Sequence, residues 1–147
     1  SATDLPFEDH SFDLVYSFKV LSHVEDIDRA FAEMTRVTRP GGKLLLEFYN
    51  PWSLRYLAKR LRAGRISANT TEAAVYTRFD SLPSLRQRLP AELQLDHVSG
   101  VRVVTPHSVV HRVPVLKNLM GTLEWKARDG LLRYFGGFLV LHLTRRT

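Results

Sequence analysis

The chain has no cysteine, which excludes disulfides and thiolate metal sites and removes one sign of a secreted protein. Its apolar runs are far shorter than the roughly 20 residues of a membrane-spanning helix. The amino terminus is acidic rather than basic and apolar, so neither a membrane span nor a signal sequence is expected, and the expected location is cytoplasmic. Glycine is also scarce, at eight residues. The only adjacent pairs, Gly41-Gly42 and Gly136-Gly137, follow helical patterns rather than opening a helix after a strand, so neither is a dinucleotide-type phosphate cradle. His107, His111 and Glu124 lack metal-ligand spacing, no Ser-His-Asp or paired-carboxylate arrangement is supported, and no metal is expected.

What is present suffices for one domain with a real core: 147 residues, 44% of them hydrophobic. The net charge is +6, with the excess between Arg55 and Arg65 and at the carboxyl end. Such a balance permits an anionic partner, although an ordinary solvated surface carries it as well.

The most informative stretch is Ser11 to Asn50. Two apolar runs, Phe12 to Phe18 and Lys43 to Tyr49, flank a helix-length segment from Glu25 to Arg39, the pattern of a βαβ unit with parallel strands. Ile27, Ala30, Phe31, Met34, Val37 and Thr38 share one helical face, and charged residues take the other. Ser22 in capping-box spacing with Glu25, or alternatively Asp26, marks the start; Pro40 with Gly41 and Gly42 ends the helix and turns the chain. Neither strand alternates polar with apolar residues, so both are expected to be covered on two faces.

After Asn50-Pro51, the spacing of Leu54, Leu57, Ala58 and Leu61 predicts a basic amphipathic helix ended by Gly64, and Ser67 to Phe79 reads as a loop. Ser81 to Leu93 predicts a helix, His97 to Thr105 a strand containing Gly100, Val115 to Tyr134 a helix, and Phe138 to Thr144 the last strand.

Four segments in order, Ala2-Thr3-Asp4-Leu5-Pro6-Phe7, Ser11-Phe12-Asp13-Leu14-Val15, Leu21-Ser22-His23 and Arg39-Pro40-Gly41-Gly42-Lys43-Leu44, resemble the second half of a class I S-adenosylmethionine-dependent methyltransferase. The subgroup they are most similar to includes the ubiquinone and menaquinone C-methyltransferases. The resemblance implies an α/β fold: the second half of a Rossmann-like sheet, helices on both faces and an antiparallel pair of carboxyl-terminal strands. It also implies a first strand, a glycine-rich turn and a ribose-binding acid that these residues do not contain. The chain is therefore expected to be a fragment, a single truncated domain over 1–147 with a possible lid insertion at 51–80.

The cofactor implied is S-adenosylmethionine, and the partner a small-molecule methyl acceptor. By the resemblance, Ser17, Phe18 and Lys19 face the methionyl portion at the carboxyl end of the first strand, where open α/β sheets bind ligands. Ala2 and Thr3 would offer a backbone N–H to the adenine and Leu5 an apolar contact. Where Ser1 stands the family commonly has an acid, so Ser1 would give adenine only a weak hydrogen bond. His23, just past the strand, suits proton transfer near neutrality, although a capping or packing role accounts for it as well. Trp52, Arg55 and Tyr56 are candidates for contact with substrate under a lid, against the alternative of a solvated surface helix.

Two rival readings stay open: a methyltransferase-like interaction module without catalysis, and, as the weaker one, a nucleic-acid-binding protein using Arg55 to Arg65. Because the first strand would lack a neighbour, the chain is expected to dimerise or to bind the missing amino-terminal half.

Overall fold

The computed structural model describes residues 1–53, 56, 76–103 and 114–147, by backbone alone over 114–120. The helix expected from Leu54, most of the loop to Phe79, Arg55, His107 and His111 lie outside the described residues.

The described elements are β1 (Phe12–Ser17), a 3-10 turn (Leu21–His23), α1 (Ile27–Val37), β2 (Thr38–Tyr49), α2 (Leu82–Arg88), β3 (Leu93–Val101), α3 (Pro114–Asp129), a second 3-10 turn (Leu131–Phe135) and β4 (Phe138–Arg145). They build a four-stranded sheet in the order β1-β2-β4-β3. The β1–β2 pair is parallel, with Val15 opposite Leu44 and Ser17 opposite Leu46. Both pairs involving β4 are antiparallel, including the expected β3–β4 pair.

Local chemistry accounts for the boundaries. The Asp26 carboxylate accepts the Arg29 N–H at 3.0 Å and caps α1, so Asp26, not Ser22, starts the helix. The helix stops at Val37, and Arg39 belongs to β2 rather than to the last helical turn. The Pro40-Gly41-Gly42 turn is absorbed inside β2 as a bulge: Phe12 pairs with Thr38 but Leu14 with Lys43. Gly41 takes φ +77, and a Cβ on Gly42 would lie 2.7 Å from Thr38 Cγ2 and 2.8 Å from the Arg39 carbonyl oxygen. Ser81 caps α2 with Pro83 in its first turn. The strand expected from His97 instead runs over Leu93–Val101, and the helix expected to reach Tyr134 breaks at Gly130 into a 3-10 turn.

The core forms where α1 lies on β2. Phe31 and Phe48 are fully buried with ring centroids 5.9 Å apart, joined by Leu21, Leu44, Leu46, Leu85, Leu139, Leu141 and Leu143. The expectation that both parallel strands are covered on two faces holds for the second half of β2 and fails for β1, where Leu14 is 51% and Tyr16 67% exposed. The reason is position: β1 is an edge of this sheet and has a hydrogen-bonded neighbour on one side only. Among the described residues no helix is long and apolar enough to cross a membrane.

Candidate active site

The parallel pair β1–β2 ends at Ser17 and Tyr49, and the residues past those ends form a polar and aromatic surface. Lys19 leaves β1 with φ +58, a left-handed conformation. Its backbone N–H donates to the Glu47 Oε1 at 3.1 Å. Glu47 is nearly buried on β2; burial raises its carboxyl above the usual range, opposed by the Lys19 N–H bond and the Lys19 charge. The signal was in the sequence, a single acid interrupting the apolar run Leu44 to Tyr49, but it was not singled out.

A raised folded-state pKa means that the native state binds more protons than the unfolded chain between the ordinary value of 4.5 and the raised one. The stability from this group is therefore full below the ordinary value and lost as pH rises through the folded pKa. Glu47→Gln keeps an acceptor for the Lys19 N–H without the charge. We expect its unfolding midpoint, relative to the parent, to improve as pH rises above the ordinary value of 4.5; a pH-independent difference would show that Glu47 does not titrate abnormally.

His23 closes the first 3-10 turn. Its Nδ1 lies 2.9 Å from the Tyr76 carbonyl oxygen. A carbonyl only accepts, so Nδ1 carries a proton, and in the neutral imidazole Nε2 then keeps its lone pair. The turn is fixed from below: Ser22 Oγ accepts the Tyr49 N–H at 3.0 Å, and the Ser22 carbonyl accepts the Arg78 N–H at 2.8 Å. Arg78 in turn pairs with Asp80 at 2.7 Å with little exposure, and that hydrogen bond holds its guanidinium above the usual range.

Around His23 the rings gather. Tyr49 meets His23 edge-on at 5.7 Å, Phe79 at 5.7 Å and Phe138 at 5.2 Å, and Tyr56 stands 4.6 Å from Phe79. Tyr49, Phe79 and Phe138 were not picked out from sequence, because their meeting depends on β4 pairing with β2. Trp52 is exposed, its N–H held by Asn50 Oδ1 at 3.0 Å.

The remaining candidates fall elsewhere. Ala2 to Leu5 is strapped to α1: the Thr3 carbonyl accepts Arg29 Nε at 2.8 Å, and the Leu5 N–H donates to Glu33 Oε2 at 2.8 Å. Glu33 is held down to about 2, first by its hydrogen bond with Arg36. Thr3 N–H donates to Ser1 Oγ at 3.3 Å, so the donor expected to meet a ligand already has a local partner, and Ser1 Oγ also contacts Thr3 Oγ1 at 2.9 Å. Ser17 is half-buried at the strand end, while Phe18 and Lys19 are exposed beyond it.

For S-adenosylmethionine this donor set fits the methionyl end: the Lys19 ammonium matches a carboxylate, and the Tyr16 and Phe18 rings, 5.9 Å apart, match a cation over an aromatic face. It fits the adenine end poorly, since the Thr3 and Leu5 N–H groups are engaged within the chain.

A sheet with one parallel pair extended by an antiparallel pair, carrying its polar residues past the ends of the parallel strands, defines the second half of a Rossmann-like methyltransferase fold. An S-adenosylmethionine-dependent methyltransferase of Thermotoga maritima superposes with a TM-score of 0.69 at 20% identity, over 99% of this chain and 62% of that one. Residues 1–46 match the family model described as a methyltransferase domain. The chain is 43% identical over 84 residues to a demethylmenaquinone methyltransferase of Mycobacterium marinum, covering 51% of this chain and 36% of the relative. It is 36% identical over 88 residues to a ubiquinone/menaquinone biosynthesis C-methyltransferase of Psychromonas ingrahamii, covering 52% and 34%. Its first third is thus similar in sequence to methyltransferase domains, and its fold is that of the S-adenosylmethionine-dependent methyltransferase it superposes on. The chain spans about a third of the length of the curated relatives it matches.

Proposed function

We propose that this chain forms the acceptor side of a methyltransferase site, and that the methyl acceptor is a small hydroxyl-bearing aromatic molecule related to the quinones that the similar enzymes are named for. The observation that carries the proposal is His23, with Nδ1 anchored to the Tyr76 carbonyl, Nε2 left as an acceptor, and a ring cluster of Tyr49, Phe79 and Tyr56 beside it. S-adenosylmethionine, when bound, supplies an electrophilic methyl on sulfur. The chain's own residues do the rest. Lys19 and Phe18 hold the methionyl end, Ser17 offers a hydroxyl, and the rings orient a flat acceptor and exclude water from one side of it. His23 Nε2 takes the proton from an acceptor hydroxyl, making the ring it belongs to electron-rich. Glu47 is a positioning residue that fixes Lys19 through its backbone. Trp52, Arg55 and Tyr56 remain proposed contacts for the acceptor, and Ser1, Ala2, Thr3 and Leu5 proposed neighbours of the adenosine.

In the intact protein, His23→Ala should lower the rate of methyl transfer roughly a hundredfold, the usual scale of general-base help. It should leave the dissociation constant for S-adenosylmethionine nearly unchanged in calorimetry. Equal losses in rate and cofactor affinity would mark His23 as structural, and an unchanged rate would remove it from the site.

A further inference from the structure

Over 121–135 the end of α3 and the 3-10 turn after it expose several large apolar side chains. Ala127 is buried against the fold. Leu123 and Trp125 point outward, and after Gly130 the 3-10 turn adds Leu131, 85% exposed, and Leu132, 55% exposed, with Tyr134 and Phe135 beside them. Cations stand among these side chains. Lys126 is exposed, the Arg128 guanidinium lies 4.0 Å from the centroid of the Trp125 ring, and that of Arg133 lies 4.9 Å from Tyr134's.

This surface is held firmly. Asp129 Oδ1 accepts His97 Nε2 at 2.8 Å and Ser99 Oγ at 3.1 Å, tying the end of α3 to β3. Those bonds, with Arg128, hold the Asp129 carboxyl down to about 2, so the tie persists across the physiological range. At Gly100 the backbone of the turn comes so close that an added Cβ would lie 2.5 Å from the Arg133 carbonyl oxygen. Asn50 Nδ2 donates to the carbonyls of Tyr134 at 2.7 Å and Gly136 at 2.9 Å, fastening the turn to the end of β2 where His23 stands.

We propose that the α3 face and the Leu131–Phe135 turn dock on an anionic lipid bilayer. The charge balance favours such an occupant: the chain carries +6. Lys126, Arg128 and Arg133 are interleaved with the apolar residues; of the two acids beside them, Asp129 is engaged by His97, Ser99 and Arg128, and Glu124 accepts the Val103 N–H. Trp and Tyr suit the headgroup level, leucines the acyl boundary just beneath it, and Arg and Lys the phosphates. A cavity of about 320 Å³ beside the helix, lined by Val101, Arg102, Glu124, Trp125 and Arg128, adds an apolar slot with two arginines and one acid in its walls. The proposal does not rest on the methyl-transfer reading.

The test is flotation of the intact protein with vesicles of phosphatidylcholine, with and without phosphatidylglycerol. Binding is expected with the anionic vesicles, weakened by salt, and accompanied by a blue shift of tryptophan emission. Leu131→Glu with Leu132→Glu should lower the partition coefficient roughly tenfold or more, and Lys126→Glu should lower it for the anionic vesicles. Unchanged circular dichroism establishes that a variant is folded; should the double variant not fold, Lys126→Glu decides by itself. No flotation, equal flotation with both vesicle types, or full binding by the variants would overturn the proposal. So would light scattering showing that the double substitution splits a dimer, which would assign the face to a second copy of the chain.

Discussion

Phe31→Ala is expected to remove about 3–5 kcal/mol of stability, the range for an aromatic side chain truncated in a packed core. Phe31 is fully buried on α1 and leans on the equally buried Phe48 of β2, so the truncation opens a space between helix and sheet that leucines on β2 and β4 cannot all move to fill. A typical domain has only about 5–15 kcal/mol in total. No surface pair compares: Arg39 and Asp13 meet at 2.9 Å but are mostly exposed, and such pairs contribute about 0–1 kcal/mol. Urea unfolding measures the difference. A Phe31→Ala cost no larger than that of Leu131→Ala, at a site 85% exposed, would mean that α1 does not pack on β2 as described.

Expressed as a polypeptide of these 147 residues, the chain is expected to elute at no less than twice its 16.9 kDa mass, because β1 is an edge strand with apolar side chains. Leu14 and Tyr16 are more than half exposed, Phe18 and Val20 follow them, and no proline or lysine stands within Phe12–Ser17 to discourage pairing. Unpaired N–H and C=O groups beside exposed apolar residues attract another strand, from a second copy or from a chain supplying the amino-terminal half. Light scattering after size exclusion decides between outcomes. A clean monomer at high concentration would show that the edge is protected. Leu14→Lys with Tyr16→Lys should restore the monomer, and failure to do so would place the contact elsewhere, with the α3 face the next candidate.

The sequence by itself determined the βαβ unit, the apolar face of α1 through Ile27, Ala30, Phe31 and Met34, and the last strand from Phe138. These are properties of spacing: a helix needs an apolar residue every three or four positions and a strand a short run, and both can be counted along the chain. It also carried the resemblance to methyltransferases, because Ala2 to Leu44 holds the motifs in order, and it pointed to His23 and to Ser17, Phe18 and Lys19 as residues near a strand end. Other features were decided by tertiary structure. Asp26 rather than Ser22 caps α1, because the cap depends on which side-chain oxygen meets the first free N–H groups of the helix, and Asp26 meets that of Arg29. The turn at Pro40 became a bulge within β2 because β1 pairs on both sides of it. The Leu5 N–H turned inward once α1 brought Glu33 beside it. Glu47 became a buried acid, and Tyr49, Phe79 and Phe138 a single cluster, only when strands distant in sequence were laid side by side. Periodicity specifies which face of an element is buried; what that face meets is set by pairing across some ninety residues of chain, from Tyr49 to Phe138, and no local pattern encodes it.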